Sequence, residues 1–148
     1  MLNEDYREKL QTLLENEVRY LVVGAYALAA NGYPRATVDF DIWVEATKEN
    51  SKKILSSLMQ FGAPVGQVSE ETFAEQGIIF QIGVAPRRID ILTHIDGVDF
   101  QEAYQAREEI ALEGMHLPFL SKKNLIKNKK STGREKDILD AKTLEEGK

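Results

Sequence analysis

The segment from Gly24 to Glu45, GAYALAANGYPRATVDFDIWVE, constrains this chain more than any other because it places two acids inside an apolar run. Side chains alternate between the two faces of a β-strand, so Asp39 and Asp41 project from one face and the apolar residues from the other. Two carboxylates about 7 Å apart repel each other and are costly to desolvate. A divalent cation between them relieves this repulsion, and oxygen-only ligands favour magnesium or manganese over zinc.

A third acid, Asp90, lies in the alternating run IDIL, which predicts a central strand. A buried aspartate is rarely left unpaired. If this strand lies beside the Asp39–Asp41 strand, three carboxylates converge and could hold two magnesium ions roughly 3.5–4 Å apart for phosphoryl or nucleotidyl transfer. The alternative is a buried salt bridge from Asp90 to one of three arginines, Arg35, Arg87 or Arg88.

Gly24 follows the apolar run YLVV and precedes a short predicted helix over 25–30. A glycine at a strand-to-helix turn lets a ligand approach the backbone, and the first N–H groups of a helix attract an anion such as phosphate. The small residues of this helix have another interpretation, which is close packing of the helix against a sheet.

The hydrophobic patterns along the chain predict an α/β (α+β) fold with a mixed, mostly antiparallel sheet flanked by helices, in a single domain over residues 1–148. Helices are predicted over 4–17, 25–30, 48–61, 121–130 and 134–145, with a helical turn within 96–106. Strands are predicted over 20–23, 38–45, 78–84 and 87–93. A hairpin is predicted over 109–112 and 116–119, across Glu113-Gly114.

Composition excludes several classes of protein. The chain has no cysteine, so disulfides and thiolate metal sites are impossible, and this fits a reducing compartment; we expect a cytoplasmic protein. No apolar run approaches the roughly 18 residues of a membrane span. The net charge of −5 argues against a general nucleic-acid coat protein, although residues 122–136 carry seven basic side chains and one acid. That segment is either a solvated helix face or a site for phosphates or RNA.

The run VVGAYALAANGYPRATVDFDIWV resembles the signature of the polymerase-β-type nucleotidyltransferase superfamily, in which a Gly-Ser or Gly-Gly turn precedes Asp-x-Asp and a later strand supplies a third Asp. The resemblance extends to PRRIDILTHIDGVDFQEAY and LIKNKKSTGREKDILDAKTL. These segments are similar to small nucleotidyltransferase-like proteins related to abortive-infection toxins, and together they span about residues 20–144.

The resemblance implies catalytic and metal-binding roles for Asp39, Asp41 and Asp90, with Mg²⁺ (or Mn²⁺) as cofactor. It implies that Gly24 and the Ala25 backbone contact the nucleotide phosphates. Ala25 departs from the Ser or Gly of the superfamily, so a hydroxyl that would hold the triphosphate is missing.

Three further residues are candidate nucleotide ligands. Arg35 and Thr37 share strand parity with Asp39, and Lys129 could meet a triphosphate as a point charge. Arg35 could instead cap the acids, and Lys129 could equally be a surface helix residue.

The function predicted from these patterns is magnesium-dependent transfer of a nucleoside monophosphate from an NTP, such as ATP, to an acceptor hydroxyl on a protein, a tRNA or a small molecule such as an antibiotic. Asp90 is expected to help deprotonate the acceptor. The alternatives are a catalytically inactive binding module, as one component of a toxin–antitoxin pair, and an RNA-binding protein. From the size of the chain we expect a homodimer or an antitoxin partner to complete the cleft.

Overall fold

Six strands form one mixed sheet in the computed structural model, which describes residues 4–32, 39–84 and 88–147. The strands are β1 (Tyr20–Val23), β2 (Phe40–Val44), β3 (Ile79–Ile82), β4 (Ile89–Leu92), β5 (Glu108–Leu112) and β6 (Met115–Phe119). Their order across the sheet is β3-β4-β2-β1-β6-β5. Strand β2 pairs antiparallel with β1 and parallel with β4, which makes it a central strand.

Helices follow the strands closely in the chain. They are α1 (Glu4–Glu15), α2 (Gly24–Ala30), α3 (Lys48–Gln60), α4 (Phe100–Gln105), α5 (Lys122–Ser131) and α6 (Glu135–Glu146), with a 3₁₀ turn at Thr72–Ala74. Three of them begin at a side chain that accepts a hydrogen bond from the backbone N–H three residues later: Thr47, Asp99 and Ser121. Such caps satisfy N–H groups that the first helical turn leaves without a partner.

Core residues lie on both faces of the sheet, and an aromatic part of the core packs against the face of β2 opposite to the acids. Phe40 packs against the rings of Tyr6 from α1 and Tyr26 from α2, with centroids 5.4 and 4.4 Å away. Strand β1 is buried along its whole length. This burial explains its continuous apolar sequence, because both faces of a central strand are covered.

The predicted fold class is confirmed. The sheet is mixed, with three antiparallel and two parallel strand pairs, and helices flank it. Strand β1 and the hairpin turn at Glu113-Gly114 lie where the sequence predicts them. Strand β3 is shorter than the predicted 78–84, because it lies at the sheet edge and its neighbour β4 pairs with only four of its residues. Over the described residues, no helix has the length and apolar character needed to cross a membrane.

Candidate active site

Strand register brings the acids together. Asp41 of β2 and Asp90 of β4 are direct partners in the parallel pairing of these two strands, so their side chains leave the same face of the sheet side by side. Asp39 lies two residues before Asp41 and shares its parity. The juxtaposition expected from alternation is therefore present, and it depends on β4 lying directly beside β2.

A guanidinium lies among these carboxylates. The Arg88 Nε and Nη2 atoms donate to the two oxygens of Asp90 at 2.7 and 3.2 Å, and Nη2 lies 3.1 Å from Asp39 Oδ2. The backbone N–H of Arg88 also donates to Asp39 Oδ1 at 3.3 Å. We call Asp39, Asp41, Asp90 and Arg88 the acid cluster. The salt bridge between Asp90 and an arginine, considered from sequence as an alternative, is thus present as Arg88–Asp90. It occurs together with the convergence of the three acids.

Asp41 is the least neutralised member of the acid cluster. The pKa of Asp41 is raised to about 6, chiefly by burial and then by the negative charges of Asp90 and Asp39 and a hydrogen bond with Asp90, while the charge of Arg88 lowers it. Among the described residues, the three carboxyl groups of the acid cluster lie beside one guanidinium, that of Arg88, so they outnumber the positive charges that these residues supply. A site of this kind gains stability from any added cation that can reach it.

The carboxylates as arranged do not fit a metal ion. Within residues 4–32, 39–84 and 88–147, no group of three or more His, Asp or Glu side chains is disposed to hold one. Oxygen donors of the right chemistry are present, but Arg88 engages both oxygens of Asp90 and both oxygens of Asp39, one of the latter through its backbone N–H. In this structure the cation shared by the acids is an arginine side chain.

Gly24 lies against the acid cluster at the point where β1 becomes α2. Its φ of +71° belongs to the left-handed region, and a Cβ at this position would lie 2.4 Å from Asp41 Oδ2. The sequence predicts that a glycine at this turn lets a ligand approach the backbone. In the structure the group closest to that backbone is the Asp41 carboxylate, so Gly24 is needed for Asp41 to occupy its position.

A cavity of about 440 Å³ opens beside the acids. Asp41 and Asp90 line it from the sheet, Ile79 and Leu92 form an apolar wall, and residues from the turn between α5 and α6 lie opposite. A second cavity of about 310 Å³ shares Gly24 and Asp41 with the first and adds Ala25 to its lining. Both cavities include Lys129, so the predicted nucleotide residues within the described ranges border one continuous region.

Lys129 belongs to a second group of polar and charged side chains, which we call the lysine cluster: Lys129, Thr132, Arg134, Asp137 and Asp140. Its two carboxylates are buried, whereas Arg134 is exposed. The Lys129 Nζ atom lies 3.2 Å from Asp137 and 3.5 Å from Asp140. Asp137 also accepts from the Thr132 hydroxyl and from Arg134 Nε, each at 2.8 Å. Burial opposes ionisation of Asp137, yet these three donors together hold its pKa below the usual range.

The lysine cluster combines a local contact with a distant one. Arg134 pairs with Asp137 three residues away, as helix spacing allows, whereas Asp140 lies near Lys129 of the preceding helix. Sequence reasoning did not place Asp137 at the site. The turn at Gly133, where φ is +75°, folds α6 back onto α5, and local helix spacing contains no signal for that contact.

Other candidates fall outside the acids and the lysine cluster. Arg35 and Thr37 lie outside the described residues. Trp43 shares strand parity with Asp41, but it is 3% exposed and packs edge-on against Phe100 at 5.0 Å, which is core packing. His94 lines the larger cavity and contacts Asp96 at 3.2 Å.

Three solved structures are similar to this chain over most of its length. A protein from Thermotoga maritima assigned as a nucleotidyltransferase is 18% identical, with a TM-score of 0.59, covering 99% of this chain and 94% of that one. The chain has the nucleotidyltransferase fold. The antibiotic-resistance factor ANT(2'')-Ia (15% identity, TM-score 0.60, 94% of this chain and 80% of that one) has the same fold. So does the lincosamide antibiotic adenylyltransferase LnuA in its lincomycin-bound structure (16%, 0.60, 98% and 97%).

These neighbours agree with the predicted superfamily at the level of the fold. Neither a protein-family model nor a curated protein matches the sequence. The link to abortive-infection toxins stays a prediction, because none of the three structures is described as a toxin.

Proposed function

We propose that this nucleotidyltransferase-fold protein transfers a nucleoside monophosphate from an NTP to an acceptor hydroxyl. One observation carries the proposal: Asp41 and Asp90 are register partners on neighbouring parallel strands, with Asp39 beside them, at the wall of a cavity of about 440 Å³. A fold neighbour, LnuA, is an antibiotic adenylyltransferase, so the proposed reaction is one that this architecture accommodates.

The proposed reaction is a substitution at the α-phosphorus. The acceptor oxygen forms a bond to that phosphorus, the bond to the bridging oxygen breaks, and pyrophosphate leaves with the bonding electron pair. The acceptor proton passes to a carboxylate of the acid cluster. Asp90 was the expected proton acceptor, but both of its oxygens accept hydrogen bonds from Arg88 in this structure. Asp90 therefore becomes an effective base only when Arg88 releases it.

Gly24 and Ala25 are proposed to line the phosphate end of the site, because both border the cavity that Asp41 shares. Lys129 is proposed as a triphosphate ligand at the opposite wall. Its side chain is 14% exposed and its ammonium group is paired with Asp137 and Asp140, so it would act through the cavity without leaving those partners. Arg35 and Thr37 remain proposed nucleotide ligands on the basis of sequence parity alone.

The acceptor is proposed to be a hydroxyl on a protein, a tRNA or an antibiotic-sized molecule. The purified protein should be incubated with α-³²P-labelled NTPs, Mg²⁺ or Mn²⁺, and separate pools of cell protein, tRNA and lincomycin. Label in one pool identifies the acceptor class. Parallel reactions with γ-³²P label test the bond that breaks, because monophosphate transfer leaves γ label in pyrophosphate and phosphoryl transfer does not.

Asp41→Asn should abolish the labelling, because it removes a carboxylate from the centre of the acid cluster while keeping its shape. Glu145→Gln is the matched control, since Glu145 is an exposed acid that pairs with Lys130 away from the cavity. Labelling that survives Asp41→Asn, or product labelled from γ-phosphate, would contradict the proposed reaction.

A binding module without catalysis is the second candidate, and two observations favour it. Ala25 supplies no hydroxyl at the phosphate end, and Arg88 engages two of the three acids. Calorimetric titration with NTP and Mg²⁺ separates the candidates. NTP binding without transfer to any pool supports the binding module. Absence of both NTP binding and transfer would contradict both candidate functions.

A further inference from the structure

The backbone of Arg88 is held by three hydrogen bonds, whereas its side chain reaches the acids from a position that borders solvent. Its carbonyl accepts a hydrogen bond from the Phe40 N–H at 2.8 Å and another from the Tyr6 hydroxyl at 3.3 Å. Its N–H donates to Asp39. The side chain, in contrast, is 29% exposed and borders solvent. A rotamer change can therefore withdraw the guanidinium from the carboxylates without unfolding β4.

We propose that Arg88 is an internal counter-ion that holds the acid cluster closed, and that a divalent cation binds only when the guanidinium leaves Asp39 and Asp90. This inference rests on the proposed function, because it concerns the cation that monophosphate transfer would use. It resolves the disagreement between the donor set, which suits a hard cation, and the arrangement of that set, which does not.

The geometry prevents the Arg88 guanidinium and a divalent metal ion from occupying the acid cluster at the same time. The guanidinium fork meets Asp90 through two nitrogens and reaches Asp39 through one of them, so it bridges the acids by contact. A metal ion bound by the same oxygens would place its charge against the guanidinium within a few ångströms. Two cations at that separation repel, and the favoured outcome is exchange of one for the other.

The cost of this exchange appears as a weaker apparent metal affinity. If the closed state holds about 90–99% of the molecules, the apparent affinity falls by about 10- to 100-fold relative to the open state. A variant without the Arg88 guanidinium should regain this 10- to 100-fold loss in apparent metal affinity. Arg88→Gln is therefore expected to bind Mn²⁺ at least about tenfold more tightly than the wild type. Arg88→Lys should fall between the two, because an ammonium keeps the charge but lacks the fork.

Mn²⁺ affinity should be measured by electron paramagnetic resonance without nucleotide, so that the result does not depend on whether the protein transfers anything. Lys136→Gln is the matched control: Lys136 is an exposed cation that lines the smaller cavity beside Asp41. It removes the same unit of charge without touching a bridge, so the affinity should change by less than about threefold. An Arg88→Gln affinity equal to or weaker than that of the wild type would overturn the proposal, and so would absence of Mn²⁺ binding in every variant.

A second measurement uses the unaltered protein and needs no variant to fold. The Arg88 Nε–H donates to Asp90 at 2.7 Å, so its proton should exchange slowly with water and give a distinct ¹⁵N–¹H resonance. Saturation with Mg²⁺ should move this resonance to the position of a solvated arginine and speed its exchange. Mg²⁺ binding with the resonance unmoved would overturn the proposal, even if monophosphate transfer were established.

Discussion

Two groups of charges face each other across one cavity, and they are balanced in opposite ways. The lysine cluster matches two cations with two carboxylates, and a hydroxyl completes the coordination of Asp137. The acid cluster sets one guanidinium against three carboxyl groups. As a result the pKa of Asp137 lies below its usual range, whereas the pKa of Asp41 rises to about 6.

The contrast separates scaffold from site. A buried carboxylate that accepts several hydrogen bonds from protein donors needs no ligand to satisfy it. A buried acid whose neighbours are acids is destabilised until a cation or a proton arrives, and proteins keep such arrangements where a ligand supplies the missing charge. We therefore expect substitutions in the lysine cluster to lower stability and substitutions of Asp41 to lower binding without lowering stability.

The largest expected effect is on Asp137. Asp137→Asn removes the charge that Lys129 and Arg134 share, and leaves a buried ammonium with Asp140 as its carboxylate partner. The free energy of unfolding should fall by about 3–4 kcal/mol, toward the lower end of the range for breaking a buried ion pair because Asp140 remains.

Urea unfolding measures this change, with Glu145→Gln as its control. Glu145 joins the same two helices through Lys130, but the pair is exposed, and its loss should cost less than about 1 kcal/mol. Equal costs for the two variants would remove the distinction between a satisfied buried cluster and an ordinary surface pair.

The next effect in size concerns Gly24. Gly24→Ala forces a side chain into left-handed backbone, where φ is +71°, and brings a methyl group to 2.4 Å from Asp41 Oδ2. We expect a loss of about 2–3 kcal/mol in the free energy of unfolding. We also expect loss of NTP binding, because Asp41 must move. Gly24→Val should abolish binding for the same reason.

Gly32→Ala is a close control for this substitution. Gly32 has a φ of +89°, but an added Cβ would meet no atom of the described residues within 4 Å. It should cost only the backbone strain of about 1–2 kcal/mol and leave NTP affinity unchanged. If both variants bind NTP equally well in a calorimetric titration, the contact between Gly24 and Asp41 has no part in binding.

Most helices and strands could be predicted from the sequence, because strand alternation and helix capping depend on residues that are close together in the chain. Strand β1, the Ser121 cap and the turn at Glu113-Gly114 follow from residues within a few positions of one another. The same parity argument placed Asp39 and Asp41 on one face. Their approach to Asp90 required β4 beside β2, which sequence could state only as a condition.

The parts that sequence could not settle depend on contacts between distant elements or on a choice among similar residues. Lys129 meets Asp137 and Asp140 because α6 folds back at Gly133. Three arginines were equally plausible partners for Asp90, and only the strand geometry selects Arg88 among the described residues. Helix spacing alone would have paired Asp140 with Lys136.

The smallest expected effect has an unusual sign and concerns Asp41. Its pKa in the folded protein is raised from 3.8 to about 6, so folding favours the protonated carboxyl. This stabilising contribution is complete below about pH 4 and is lost as the pH rises through about 6. Asp41→Asn mimics the protonated form at every pH. It should match the wild type in stability at pH 4 and exceed it by about 1–2 kcal/mol at pH 8.

Urea unfolding at pH 4, 6 and 8 tests this sign, and Asp90→Asn sharpens it. Asp90 is the neighbouring acid at the same depth, but it holds Arg88 through two hydrogen bonds, so its loss should lower stability at pH 8. Mg²⁺ with NTP should raise the Tm of the wild type and leave that of Asp41→Asn unchanged, since a ligand stabilises only the folded state that binds it. A loss of about 3–5 kcal/mol in Asp41→Asn at pH 8, with no ligand-dependent rise in the wild type, would identify Asp41 as one half of a structural ion pair. The acid cluster would then be scaffold, like the lysine cluster across the cavity.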